Sequence, residues 1–426
     1  MTTPPPLTPS TFSDGTLPTP NKGRPLDRAA LVIIAVSIGL VGAGLALRST
    51  AYQQTLTQTI RALITVGDQL WVALPDELLQ INTSNNSLQH LSYDQMGLPS
   101  PITYAVKTRH NDWVQLYSGQ VWQCDLSNLP CQQVVALGAG EKHYYSIAVL
   151  PSNQIVAVNN FSAQITTLDA DSRQVIAANI PYSAPKKDQN ATSTLLMKTA
   201  GDLDGWREGK LYRPNRLHVI NNMLVQTDTG NHRVVGWPLD KDGIPEWQAP
   251  IDVVKHAIQQ TYDVGYIQRK DPQTNLWLVL EAGSVLGNGH LMSYLDSTNT
   301  AATTETSSGS DKQAEPPVHT RGFGGNIPLD LRDPTLMTQF DDHSVLIADT
   351  SRHKILKVDY SPYSDAAPGI ADYDAPALNG PLKALQQRND FYKLLTKLAL
   401  LFFLAPFIAI LTLYLRGYDL NQKLGK

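Results

Sequence analysis

Cysteine is nearly absent from this chain. Cys124 and Cys131 are the only two, and a C-x6-C spacing with no His pair beside it argues against zinc. Charge is scarce as well. Charged residues make up 17% of the 426 and the formal net charge is −4, so the basic footprint of a nucleic-acid binder is missing and no nucleic-acid partner is expected. There is no H-x-H, no H-E-x-x-H and no dense acid cluster, and Gly324-Gly325-Asn326 is a turn signal with no helix or Lys-Ser/Thr after it to form a phosphate loop. No catalytic residue, metal ligand or cofactor is assigned on these grounds.

Two stretches lack charge altogether. Ala29 to Leu47 and Leu398 to Leu415 run for 19 and 18 positions without a charged residue, about the length needed to cross a bilayer core. A cleaved signal peptide competes for the first, since Gly44-Leu45-Ala46 is weakly like a cleavage site. The preceding polar region is 28 residues long and the apolar run is longer than a signal core, which favours a retained helix. Residues 1–28, with seven prolines, cannot bury enough surface to fold and read as a disordered tail. Ala35, Gly39 and Ala43 fall four apart on one helical face and could allow close helix contact. Residues 380–397 form a weakly amphipathic stem leading into the second apolar run. Pro406 is expected to kink that run, Tyr414 and Tyr418 sit like interface anchors, and 416–426 is a short tail.

Between these ends, at 60–365, the chain is a series of short β-rich runs. ALITV, QLWVAL, ELLQI and SLQHL form one group; ITYAV, DWVQLY, QVWQCDL and CQQVVAL a second; YYSIAVL, QIVAV, QITTLD and QVIAANI a third. Gly, Asn, Asp, Ser or Pro marks the breaks. A fourth group holds Arg216 to Ile220, Met223 to Asp228 and Arg233 to Pro238. Its turn chemistry returns at Val345 to Val358, where Asp349, Thr350, His353 and Lys354 stand in for Asp228, Thr229, His232 and Arg233. The fifth group is placed at Ala249 to Ser297 and the sixth at Gly322 to Tyr360, with 297–317 a low-complexity Ser/Thr loop. The expected fold is all-β, a six-bladed β-propeller flanked by two transmembrane helices. In the repeated turn, Asp228 is expected to accept the turn amides and Gly230 to supply positive φ.

GDLDGWREGKLYRP followed by MLVQTDTGNHRV resembles the NHL repeat, through Gly201, Asp204, Gly205, Leu211, Pro214, Asp228, Gly230, Asn231 and Arg233. The second copy is looser, with Ser351, Arg352 and Lys354 at the Gly, Asn and Arg positions. The resemblance covers about a sixth of the chain. It implies structural turns at Asp228, Gly230, Asn231, Arg233, Asp349 and His353. Related six-bladed propellers include amidating lyases, lactonases and strictosidine-synthase-like enzymes. Against that reading, His218, Glu281, His290 and His319 are scattered, and a lone strand His is more often a packing residue than a ligand.

Ring closure should bring both apolar helices to one side. Cys124 and Cys131 are expected on the two arms of one hairpin, as suits a disulfide in an oxidising compartment; two separate thiols in a reduced protein are the alternative. With the disulfide, the propeller is periplasmic or extracellular, the termini cytoplasmic, and the membrane that of a bacterial inner membrane. The function expected is a membrane-tethered, non-catalytic binding or scaffold module for a protein, peptide or glycan. The alternative is an exported metal-dependent propeller hydrolase or lyase, which a channel calcium or zinc ion would support.

Overall fold

The computed structural model describes residues 28–108, 112–116, 118–126, 128–131, 133–134, 144–160, 163–180, 211–248, 250–254, 261–271, 275–281, 289–296, 320–331, 334–350, 352–362 and 367–415. Two units emerge. One, 57–388, is built of strands and the first turns of a helix; the other joins the described parts of 1–56 and 389–426.

The strand unit is six four-stranded antiparallel sheets, each a meander contiguous in sequence. Blade 1 holds β1 (Ala62–Val66), β2 (Gln69–Ala73), β3 (Glu77–Asn82) and β4 (Leu88–Ser92). Blade 2 holds β5 (Ile102–Lys107), β6 (Asp112–Leu116), β7 (Val121–Cys124) and β8 (Gln133–Val134). Blade 3 holds β9 (Tyr144–Val149), β10 (Gln154–Asn159), β11 (Ile165–Asp169) and β12 (Val175–Ile180). Blade 4 holds β13 (Pro214–Ile220), β14 (Met223–Asp228), β15 (Arg233–Pro238) and β16 (Ile251–Val254). Blade 5 holds β17 (Thr261–Ile267), β18 (Leu276–Glu281), β19 (Gly289–Asp296) and β20 (Thr320–Leu331). Blade 6 holds β21 (Pro334–Asp341), β22 (Ser344–Asp349), β23 (Lys354–Asp359) and β24 (Gly369–Asp372).

The first strand of each blade is innermost, and β1, β5, β9, β13, β17 and β21 follow one another round the centre until β21 meets β1 again. Every blade is covered on both faces, so its inner strands read as nearly continuous apolar runs; alternate side chains serve opposite neighbours. In β2, Trp71 and Ala73 pack toward blade 2 with Ile102 and Val114. Leu70 and Val72 point the other way, to Leu336 and Leu346 of blade 6. The same division repeats round the ring, giving an apolar wedge between each adjacent pair of blades.

At the seam the ring is closed without sharing a strand. Thr65 N donates to Thr338 Oγ1 at 3.1 Å and Thr65 Oγ1 to the Gln339 carbonyl at 2.8 Å. His353 Nε2 lies 2.8 Å from the Gln58 carbonyl. The wedge here also takes in Ile60, just before β1, and Ala375, Leu378 and Leu385 beyond β24. Arg388 pairs with Asp76 at the same place.

Two boundaries differ from expectation. Ile251–Val254 is the outer strand of blade 4, where the sequence placed it in blade 5. Thr320–Leu331 completes blade 5, where Gly322 was expected to open blade 6. Blade 6 therefore runs from Pro334 to Asp372, past residue 365. Ile251–Val254 is apolar and buried against Val264, Trp277 and Val279 of blade 5, so its run reads as part of that blade, and β20 follows the low-complexity stretch and reads as the start of a new one. β20 is Gly-rich and shifts register three times against β19, as bulged edge strands do.

The helical unit is formed by α1 (Arg28–Thr57) and α2 (Pro376–Leu415), whose first turns belong to the strand unit. Both are long and apolar enough to cross a membrane. Each helix outruns its apolar stretch, because Arg48–Thr57 and 380–397 contain good helix formers and the loss of hydropathy does not end a helix. The residues of α1 that are covered recur every seventh position: Ala30, Ser37, Gly44 and Ala51. In α2 beyond Asn389 they are Ala399, Pro406 and Leu413, again the spacing of a left-handed helix pair. A Cβ at Gly44 would stand 2.7 Å from Phe402 Cβ and 3.2 Å from the Ala399 carbonyl. The small face expected at Ala35, Gly39 and Ala43 is exposed, and Gly39 has nothing within 4 Å.

Candidate functional site

In the repeated turn, Asp228 is fully buried. Its Oδ1 accepts Tyr212 N at 2.6 Å; its Oδ2 accepts Asn231 Nδ2 at 2.8 Å and Arg233 Nε at 2.7 Å. Burial pushes this carboxyl up, against the pull of the Arg233 charge and these hydrogen bonds. The carboxylate thus ties the strand lead to the turn, and no side-chain cap to the turn amides forms. The left-handed residue is His232 at φ 53°, with His353 at φ 54° in the second copy. Gly230 does not take positive φ. It is required for space, since a Cβ there would lie 2.1 Å from Tyr212 Cδ1. Both copies keep one register, Pro214 and Arg233 opposite Asp228, and Pro334 and Lys354 opposite Asp349. In the second copy, Arg352 N approaches Asp349 Oδ1 at 3.3 Å and Arg352 Nε lies 3.6 Å from Oδ2. Gly201, Asp204 and Gly205 lie outside the described residues.

One set of polar side chains converges at the centre of the ring. Arg216 and His218 are two apart on β13 and so share a face. His218 Nε2 lies 2.7 Å from Asp263 Oδ1 on β17, and His218 Nδ1 lies 3.2 Å from the Tyr104 hydroxyl on β5. Asp263 also accepts Val264 N at 2.9 Å and, across the next blade boundary, Met337 N at 3.1 Å. Because both carboxylate oxygens accept backbone N–H groups, the ring nitrogen facing Asp263 is the donor. The Tyr104 hydroxyl is also 3.2 Å from the Leu217 carbonyl, so its one proton goes either to that carbonyl or to Nδ1. Arg216 Nη1 donates to the Thr103 carbonyl at 3.1 Å, and its guanidinium carbon stands 4.9 Å from the centre of the Tyr104 ring. Burial, then the Asp263 charge, pushes the Tyr104 hydroxyl up, with Arg216 pulling it down.

Tyr104 comes from blade 2 and meets blade 4, with blade 3 between them, which places the contact across the central channel. The side chain of Asp263 is 2% exposed and that of His218 18%. Nε2 already carries its proton toward Asp263, and Nδ1 faces the Tyr104 hydroxyl. The network links blades 2, 4, 5 and 6 and braces the ring at that depth.

The other candidates do not join it. Glu281 ends β18, where it accepts the Tyr294 hydroxyl at 3.2 Å and stands opposite His290 in the ladder. His319 lies outside the described residues. Among the described residues no group of three or more His, Cys, Asp or Glu is placed to hold a metal. Cys124 and Cys131 form a disulfide, buried in the wedge between blades 1 and 2.

Of the channel groups, only His218 was singled out in the sequence. Arg-Leu-His on one strand and Asp263 inside the apolar run of β17 were legible signals, since a charge amid strand apolars must find a partner. Tyr104 carried none.

No family model and no curated protein matches the chain. Among solved structures, a streptogramin B lyase is similar at 11% identity and a TM-score of 0.43, covering 75% of this chain and 83% of that one. A catalytically inactive virginiamycin B lyase from Staphylococcus aureus with quinupristin gives 13%, 0.43, 75% and 85%. YCF48 from Cyanidioschyzon merolae gives 10%, 0.42, 74% and 85%. Likeness at this level says nothing of activity, and the propeller assignment rests on the strand pairing itself.

Proposed function

We propose that this protein is a membrane-tethered NHL-like propeller that acts as a non-catalytic recognition module, presenting a rigid ring outside the cytoplasm to a protein, peptide or glycan. The observation that carries the reading is the state of the channel centre. Tyr104 of blade 2, His218 and Asp263 are joined in one hydrogen-bonded chain that also bonds the strands of blades 4, 5 and 6, which is how groups that stiffen a ring behave. Recognition then falls to the loops on the faces. The two apolar helices support tethering, and the disulfide supports an oxidising compartment for the propeller.

The test uses the full chain in native membranes. Alkaline carbonate should leave it in the pellet, and added protease should reach the propeller only from the non-cytoplasmic side. Photo-crosslinking residues placed in loops of either ring face should yield a defined adduct from one face and not the other. Release by carbonate, or turnover of lactone or glycoside substrates that His218→Ala abolishes, would overturn the reading in favour of the exported hydrolase or lyase.

A further inference from the structure

The helical unit carries an outward-facing belt of cations and aromatics. Ile60 and the first turns of α2 share one apolar wedge, and Gly44 meets Phe402, so the helices run antiparallel. Counting outward from that contact at about 1.5 Å per residue, Arg48 on α1 comes level with Lys397 on α2, and Tyr52 with Lys393. Arg48 and Lys397 are exposed, the Lys393 side chain is 50% exposed, and Tyr52 and Phe391 are 53% and 55% exposed. Arg48 and Tyr52 are four apart on one face, as are Lys393 and Lys397. Within 45–56 and 389–400 the sequence has one carboxylate, Asp390, 4.0 Å from Lys393 Nζ.

A second belt holds Arg28 and Tyr414, the latter 65% exposed. Arg28 to Arg48 is twenty residues of helix, about 30 Å, which equals the thickness of a bilayer's hydrocarbon core. Large apolar side chains fill the exposed surface between the belts, among them Val32, Ile38, Leu404 and Phe407.

We propose that Arg48, Lys393 and Lys397, with Tyr52 and Phe391, form a binding surface for anionic phospholipid headgroups at the propeller-side edge of the bilayer. This rests on the membrane-spanning reading. Three cations against one acid complement a phosphodiester surface, and flanking aromatics suit the headgroup layer. Each basic residue near such a surface contributes roughly a fivefold preference, so the three together give a preference on the order of a hundredfold that salt weakens.

Full-length protein in detergent micelles, supplied with equal phosphatidylglycerol and phosphatidylcholine, would be read by native mass spectrometry. Phosphatidylglycerol should be retained preferentially. Arg48→Gln, Lys393→Gln and Lys397→Gln together should abolish the preference, and a charge-matched Lys107→Gln, Lys241→Gln, Lys270→Gln variant, altered at exposed lysines of the strand unit, should keep it. Equal retention of both lipids by the unaltered protein, or a preference that survives the triple substitution, would refute the assignment. Competition by free inorganic phosphate would reassign the belt to a soluble anion, which also refutes it. Carbonate extraction separates the two readings: a triple variant that loses the preference yet stays in the membrane pellet supports both, whereas release of the unaltered protein sinks the membrane reading itself.

Discussion

Gly230 shows how a residue can be right for a reason other than the obvious one. Its place in D-x-G-N-x-R suggests a left-handed glycine, yet the left-handed position is His232, and the glycine is there because Tyr212 closes over it. Either role makes Gly230→Ala costly, so the two are separated at His232. Gly230→Ala should destabilise the propeller by about 1–3 kcal/mol through overpacking, and His232→Gly should change it by less than about 1 kcal/mol; thermal unfolding of the detergent-solubilised protein distinguishes them. Sequence alone could not separate the roles, because a turn pattern encodes which residues are small or polar and not which strand lead will pack above them. The Asp carries more: Asp228 and Asp349 hold the same register in both copies although the glycine, asparagine and arginine are replaced in the second. The buried carboxylate of Asp228 receives three donors, and a donor comes from Asn231 in one copy and from Arg352 in the other.

At the scale of the element, the helices divide between what hydropathy reads and what packing decides. The absence of charge in Ala29 to Leu47 and Leu398 to Leu415 marked both as apolar helices. Which face of each is covered was not marked, since nearly every residue is apolar and any stripe of small residues looks equally suited to contact. The seventh-residue spacing of Ala30, Ser37, Gly44 and Ala51 is the one the partner helix uses. Gly44→Leu should therefore drive its side chain into Phe402, separate the helices and lower the melting temperature of the solubilised protein, at a cost of about 1–3 kcal/mol. Gly39→Leu, into open space, should leave the melting temperature unchanged. Equal effects at both positions would mean that the exposed small face is the one in contact. Among strands the division is similar: central strands such as β2 and β18 declare themselves by nearly continuous apolar runs, whereas the outer strands β16 and β20 were assigned to the wrong blades.

For the whole molecule, the ring is held by six apolar wedges, by the threonine pair at the seam and by the polar cross-brace in the channel. Removing His218 tests the brace. His218→Leu leaves Asp263 buried with only its two backbone donors and should cost about 1–3 kcal/mol. Asp263→Asn in that background should cost less than it does alone, and a double-mutant cycle on unfolding free energies reads the coupling directly. Additive losses would show that the two side chains act independently. The membrane-pellet and lipid-retention experiments belong to this scale too, since they ask whether a bilayer holds the ring.

The sequence by itself determined the class of fold, the count of blades and the two apolar helices, and made a Cys124–Cys131 disulfide the expectation, all of which follow from local pattern: period, run length, turn chemistry and spacing. Only the tertiary structure decided that Tyr104, His218 and Asp263 meet, that Thr65 meets Thr338, and which helical face is covered. Those contacts join residues up to hundreds of positions apart, and their geometry is fixed by closure of the ring and packing of the helices, neither of which leaves a periodic trace in the chain.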